Sequence, residues 1–172
     1  MENAFDTILK RRSIRKYQNQ QVPKELIKNL LKAAMSAPSA CNQQPWHFVI
    51  IEDKVALNEL SKIHSGFLNL KESPIAILVC GEPGATKLEF YWEQDCSAAT
   101  QNILIAATAL GLGAVWHGIN PRGGEDSDEI RRIINIPEDI RPFSLISVGY
   151  AAEDIQPSDR YNENKIHYDS AW

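Results

Sequence analysis

Cysteine is scarce and scattered. Cys41, Cys80 and Cys96 are an odd number, lie far apart and form no C-x-x-C pair. That excludes a disulfide framework or a zinc site built from them, and the expectation is three reduced thiols in a cytoplasmic protein. Long apolar runs are missing too. The richest stretch, Ile103 to Val115, is interrupted by Thr108, Gly111 and Gly113, so no segment spans a bilayer as a helix. The start, MENAFDTILKRR, has no apolar signal core and no small-residue cleavage site, so no export signal is expected. Neither sign of charge dominates: 18 Lys and Arg stand against 22 Asp and Glu, a net charge of −4. Bulk attraction to nucleic acid or an anionic membrane is excluded by that balance. The four histidines (His47, His64, His117, His167) have no metal-ligand spacing. Internal repeats, low-complexity tracts and interdomain linkers are absent.

What is present is the material of one globular domain over residues 1–172. Hydrophobic residues make up 44% and charged residues 23%, which gives a chain of this length a sizeable core. Phe5, Ile8 and Leu9 share a face of a first helix, Ala4 to Arg11. Pro23 can sit in the first turn of a second helix, where Leu26, Ile27, Leu30, Leu31 and Ala34 recur at helical spacing; Pro38 ends it. His47 to Glu52 is β-rich, Lys54 to Ile63 reads as helical, and Ile75 to Cys80 reads as a buried strand. Ser97 to Leu110 is an alanine-rich helix stopped by Gly111 and Gly113. A strand begins at Ala114 to Trp116, a helix follows over Ser127 to Ile134, and Phe143 to Gly149 is a further strand. From Ala151 onward the chain is polar and patternless. The connections do not alternate regularly as β-α-β, so the fold class is α+β, a three-layer sandwich around one mixed sheet.

Two segments carry chemistry. In Arg11-Arg12-Ser13-Ile14-Arg15, three guanidiniums and a hydroxyl fall within five positions. If the segment is extended, Arg11, Ser13 and Arg15 point to one side, and arginine forks match phosphate oxygens. The competing reading is a solvated basic patch at a helix C-terminus. The second segment, Ala37 to Trp46 (APSACNQQPW), is a polar loop stiffened by two prolines. It offers Ser39, Asn42, Gln43 and Gln44 to a ligand with hydroxyls and ring amides. The competing reading is a structural turn in which Asn42 bonds its own backbone. Gly111-Leu112-Gly113 is not a dinucleotide fingerprint, because it follows a helix and precedes a strand. Tyr91 and Trp92 could face a substrate, although core or dimer packing explains them as well.

R-R-S-x-R followed by A-P-S-x-x-N-x-Q-P-W and an apolar strand resembles the nitroreductase family of FMN-dependent enzymes. The resemblance extends to Asp95 through Gly118 (DCSAATQNILIAATALGLGAVWHG) and to the ending from Arg160-Tyr161 to Trp172. It implies a homodimer with two FMN sites at the subunit interface. It implies that Arg11, Arg12, Ser13 and Arg15 contact the phosphate, ribityl chain and pyrimidine edge of FMN, and that Pro38, Ser39 and Asn42 reach the flavin from the partner subunit. Arg160, and with it Lys165, is implied near the phosphate. The backbone of Trp116, His117 and Gly118 is implied along the flavin near N5. The tail from residue 151 is expected to extend over the partner subunit.

The implied activity is electron transfer from NAD(P)H through FMN to a nitroaromatic, a quinone or a similar small acceptor. The flavin N5 carries the chemistry, with no catalytic side chain and no metal. The alternatives are a non-catalytic FMN-binding module, a specialised flavin-destroying or dehalogenating member, and a structural dimer without cofactor. The chain departs from the family pattern at Ala40, where many members have a second serine. It also has little room between Ser65 and Asp95 for extra helices over the site.

Overall fold

The computed structural model describes residues 3–169 and Trp172. Five α-helices and four strands follow one another among the described residues: α1 (Ala4–Lys10), α2 (Lys24–Met35), β1 (Trp46–Ile51), α3 (Lys54–Ile63), β2 (Ile75–Gly81), α4 (Trp92–Ala109), β3 (Gly113–Gly118), α5 (Glu125–Ile134) and β4 (Arg141–Gly149). The four strands form one sheet in the order β1-β2-β4-β3, and every neighbouring pair is antiparallel. The mixed sheet expected from sequence is reduced to a single parallel bridge, Ser13 with Ala114, added outside β3. That bridge lays the arginine segment against an edge strand.

Alternation along the strands builds three layers. Ile75, Ile77 and Val79 of β2 face α2 and α4, in a core that includes Leu30, Ala34, Ala99 and Ile103. Ala76, Leu78 and Cys80 face α3 and α5, with Leu57, Leu60, Phe67, Leu70 and Ile130. A strand buried on both faces reads as a continuous apolar run, as Ile75 to Cys80 does. One irregularity matters for α4. Val79 pairs with Ser144 and Cys80 with Pro142, so Phe143 is an extra residue in β4. The bulge turns Phe143 and Ser144 to the same side. Phe143 meets Trp92 edge-on at 5.8 Å, and the Ser144 hydroxyl meets that of Thr100 at 2.8 Å.

Helix α4 starts five positions earlier than Ser97, the start its alanines suggest. Glu93 and Asp95 in its first turn suit the positive end of the helix dipole. Trp92 is buried core, which settles one of the two aromatics left open by the sequence; Tyr91 is exposed. The run Ser65–Glu72 folds as 3-10 turns that bury Phe67 and Leu70, a feature that short-range periodicity does not reveal. The apolar face of α1 is uncovered in the single chain: Phe5, Ile8 and Leu9 are 67%, 48% and 53% exposed. Among the described residues no helix is long and apolar enough to cross a membrane.

Leu78 is fully buried, whereas Val55 on α3 is 66% exposed. Leu78→Ala should therefore lower unfolding free energy by about 3 kcal/mol, through lost burial and the cavity left behind. Val55→Ala should change it by less than about 0.5 kcal/mol. Urea unfolding midpoints check both, and equal effects would contradict this layering.

Candidate functional site

The arginine segment begins where α1 ends. The Arg11 amide donates to the Thr7 carbonyl as the helix cap, and the chain then extends. The Ile14 amide donates to the Ala114 carbonyl at 3.0 Å. Arg12 is held from several sides: Nε donates to the Gln156 carbonyl at 3.1 Å, and Nη1 donates to the carbonyls of Leu9 (2.9 Å) and Arg11 (2.6 Å). Its Nη2 is buried and has no hydrogen-bond partner among the described residues. Arg11 is held below its ordinary arginine range by burial and then by the guanidiniums of Arg12 and Arg160. Arg11, Arg12 and Arg160 therefore converge, although Arg160 is 148 positions or more away in sequence from the other two. They line a cleft of about 660 Å³ between α1 and the C-terminal tail, with Phe5, Ile8 and Tyr161 as apolar wall.

Beyond this cluster the strip continues along β3. Ser13 lies beside Ala114, and its hydroxyl makes no hydrogen bond among the described residues. Arg15 is exposed, with only a 3.5 Å contact from Nη1 to the Ser13 carbonyl, while its amide donates to Glu153 Oε1 at 2.6 Å. The antiparallel pairing of β3 with β4 turns the amides and carbonyls of Ala114, Trp116 and Gly118 outward. Ala114 uses its carbonyl on Ile14; among the described residues nothing engages those of Trp116 and Gly118. A free row of backbone donors and acceptors thus adjoins the cationic strip, a match for the amide edge of a ring. The unpaired Arg12 nitrogen and the mutually repelling arginines match a phosphate. These residues fit a flavin mononucleotide.

His117 contributes neither side chain nor backbone groups to this edge, because its amide and carbonyl face β4. Its side chain points to the opposite side of β3, into the core. Nδ1 donates to the Gly66 carbonyl (2.9 Å), which leaves Nε2 to accept from the Ser147 hydroxyl (3.0 Å). The Tyr17 hydroxyl extends the network, 2.9 Å from Ser147 Oγ and 2.6 Å from the Ile14 carbonyl to which it donates. Burial lowers the His117 pKa to about 4, partly offset by the Gly66 bond. The imidazole is therefore neutral at physiological pH.

The second segment lies elsewhere. Ser39 Oγ accepts from the Gln44 amide (3.0 Å), so its proton is free to donate. Asn42 Oδ1 accepts from Gln44 Nε2 (2.9 Å), and Pro38 is exposed. Cys41, Asn42 and Gln44 all have positive φ, at 50°, 54° and 48°. This loop enters β1, at the edge of the sheet opposite β3, and it packs on the first turn of α4. The arginine segment meets the chain just beyond the last turn of that helix. The structure thus brings Arg11, Arg12, Ser13, Arg15, Arg160 and the β3 edge together, and keeps Pro38, Ser39 and Asn42 apart from them. Lys165, in an exposed turn (Glu163–Lys165), has no contact with the arginines among the described residues.

One contributor escapes sequence reading. Asp95 is buried and bonds the Pro38–Asn42 loop. The signal for it is slight: Asp95 stands two positions from a second carboxylate, Glu93, at the start of an alanine-rich helix, and sequence does not tell which of the two is buried.

A profile of the nitroreductase family matches residues 8–80 and 67–150. A protein of Methanothermobacter thermautotrophicus, named by inference an NADH dehydrogenase/NAD(P)H nitroreductase, is 45% identical over 166 residues, covering 96% of this chain and 86% of that one. A crystal structure from Parabacteroides distasonis, named in the same way, superposes with a TM-score of 0.92 at 39% identity, covering 99% of this chain and 100% of the other. An FMN-dependent nitroreductase from Clostridium difficile R20291 has a TM-score of 0.88 at 31% identity, with 95% and 98% covered.

The neutral state of His117 sets a pH dependence. Unfolded histidine titrates near 6.5, above the folded value of about 4. The stability held by the neutral form is complete above pH 6.5 and is lost as pH falls toward 4. The loss is about 3 kcal/mol. His117→Asn keeps a donor for Gly66 but cannot titrate, so the stability gap between wild type and variant should narrow by that amount between pH 7 and pH 4. A gap that stays constant in urea unfolding would show that His117 titrates normally.

Proposed function

The chain belongs to the nitroreductase family, and on that premise we propose an FMN-dependent oxidoreductase that takes electrons from NAD(P)H and passes them to a small acceptor such as a nitroaromatic or quinone. The observation that carries the reading is the convergence of Arg11, Arg12 and Arg160 with a buried, unpartnered Arg12 nitrogen. Repelling cations held in place by carbonyls are stabilised by an anion, and a phosphate monoester presents three acceptor oxygens. When bound, FMN supplies two-electron chemistry at N5, so no side-chain nucleophile or acid–base pair is needed.

The remaining work falls to residues already placed. Arg11, Arg12 and Arg160 hold the phosphate, and Ser13 donates along the strip. The outward backbone of Trp116 and Gly118 orients the ring edge. Arg15 adds positive charge, which favours an anionic reduced ligand over a neutral one. Lys165 adds to the phosphate side through the tail.

Pro38, Ser39 and Asn42 complete the site from a second copy of the chain, because within one chain they adjoin the opposite edge of the sheet. The uncovered face of α1 and the exposed tail residues Tyr161 and Tyr168 supply apolar surface for that homodimer, with the tail lying over the partner. The cysteines are free, as in a reducing cytoplasm.

Anaerobic titration tests the activity. NADH or NADPH should bleach the flavin absorbance of the purified protein, and a nitroaromatic or quinone should restore it. Failure of both nicotinamides to bleach it would contradict the proposal. Arg15→Gln should lower the flavin midpoint potential by about 30 mV, equivalent to 1.4 kcal/mol for a two-electron couple. An unchanged potential would remove Arg15 from that role.

A further inference from the structure

Asp95 is 5% exposed, in the first turn of α4 and between the buried residues Trp92 and Cys96. A carboxylate in such a place is costly unless its oxygens are engaged. Both are engaged, and both by the loop. Oδ1 accepts from the Ala40 amide at 2.9 Å, and Oδ2 accepts from Gln43 Nε2 at 2.8 Å. Gln43 carries the connection onward: its Nε2 donates to the Leu88 carbonyl (3.2 Å), and its Oε1 accepts from the Leu88 amide (3.3 Å).

The loop braced in this way is a strained one. Cys41, Asn42 and Gln44 lie in the left-handed region without being glycine. Conformations of this kind cost about 1 kcal/mol or more per residue and persist only where their surroundings over-determine them. The strain directs the exposed Asn42 and Pro38 and leaves the Ser39 hydroxyl proton free.

We propose that Asp95 is a positioning residue for the cofactor: with Gln43 it locks the Pro38–Asn42 loop in the shape that receives FMN. The inference rests on the assignment of that loop to the flavin site. The two donors need an acceptor at each oxygen of residue 95. An amide at position 95 would turn its own NH2 toward Gln43 Nε2, donor against donor. Gln43 cannot flip to relieve the clash without losing both bonds to Leu88.

The test is FMN retention by the holoprotein, read as released FMN fluorescence on dilution. Asp95→Asn should raise the FMN dissociation constant 10-fold or more. Gln43→Met, which removes the donor to Asp95 Oδ2 at a partly exposed position, should do likewise. Asp95→Asn combined with Gln43→Glu restores a donor facing an acceptor at the Asp95 contact and keeps the bond from the Leu88 amide, at the loss of the bond to the Leu88 carbonyl; it should bind FMN more tightly than Asp95→Asn alone, which a general loss of stability would not allow. Arg12→Ala serves as the reference for the site itself. If Arg12→Ala loses FMN while Asp95→Asn and Gln43→Met retain it as wild type does, the positioning role is overturned and the site stands. The positioning role is overturned equally if these variants lose thermal stability but keep their FMN affinity. If Arg12→Ala also retains FMN unchanged, the site assignment fails and this inference fails with it.

Discussion

Helix α4 sets the terms for everything else in this molecule. Its 18 residues extend about 27 Å. Its N-terminal turn holds the Pro38–Asn42 loop, through Asp95, near the β1 edge. Its C-terminal end feeds through Gly111 into β3, beside which the arginine segment lies. The same rigid rod that fills the core therefore separates the two chemically active segments. On the proposed reading, a flavin that needs both finds them on two copies of the chain. Burial of Ile103, Ala99 and Thr100 along α4 makes this separation part of the fold and not an accident of loops.

Charge and strain are concentrated at the two ends. At one, burial and then the guanidiniums of Arg12 and Arg160 lower the pKa of Arg11, and Arg12 is pinned by three carbonyls with one nitrogen left over. At the other, three neighbouring residues with positive φ are braced by a buried carboxylate. Neither arrangement stabilises the single chain. The buried network of His117, Ser147 and Tyr17 ties the carbonyl of Ile14 in place and so fixes the arginine strip from behind.

Much of this is legible in the sequence, and the reasons are local. Ile75 to Cys80 announces a strand buried on both faces, and Leu26 to Ala34 announces an amphipathic helix. The R-R-S-x-R and A-P-S-x-x-N segments are visible as candidate ligand surfaces, but spacing alone leaves each with an adequate structural explanation. The direction of the strands is not legible, because register depends on pairings between distant segments. The start of α4 at Trp92 is hidden by aromatics that read equally well as loop. The convergence of Arg160 on Arg11 is a tertiary event with no local signal. The inward turn of His117 follows from strand alternation once Ala114 is known to face α4, a fact only the sheet supplies. The exposed Phe5, Ile8 and Leu9 show the converse: a helical face, plain in the sequence, that the described residues leave uncovered.

One site built from two chains can be tested directly by complementation. Arg12→Ala cripples the cationic end, and Pro38→Trp blocks the exposed loop. Each homodimer should lose FMN. Co-expressed with different affinity tags and purified as the mixed dimer, the two variants should bind FMN again, because one of the two sites then combines an intact arginine segment with an intact loop from the other chain. A mixed dimer as empty of FMN as either parent would contradict a site shared between subunits.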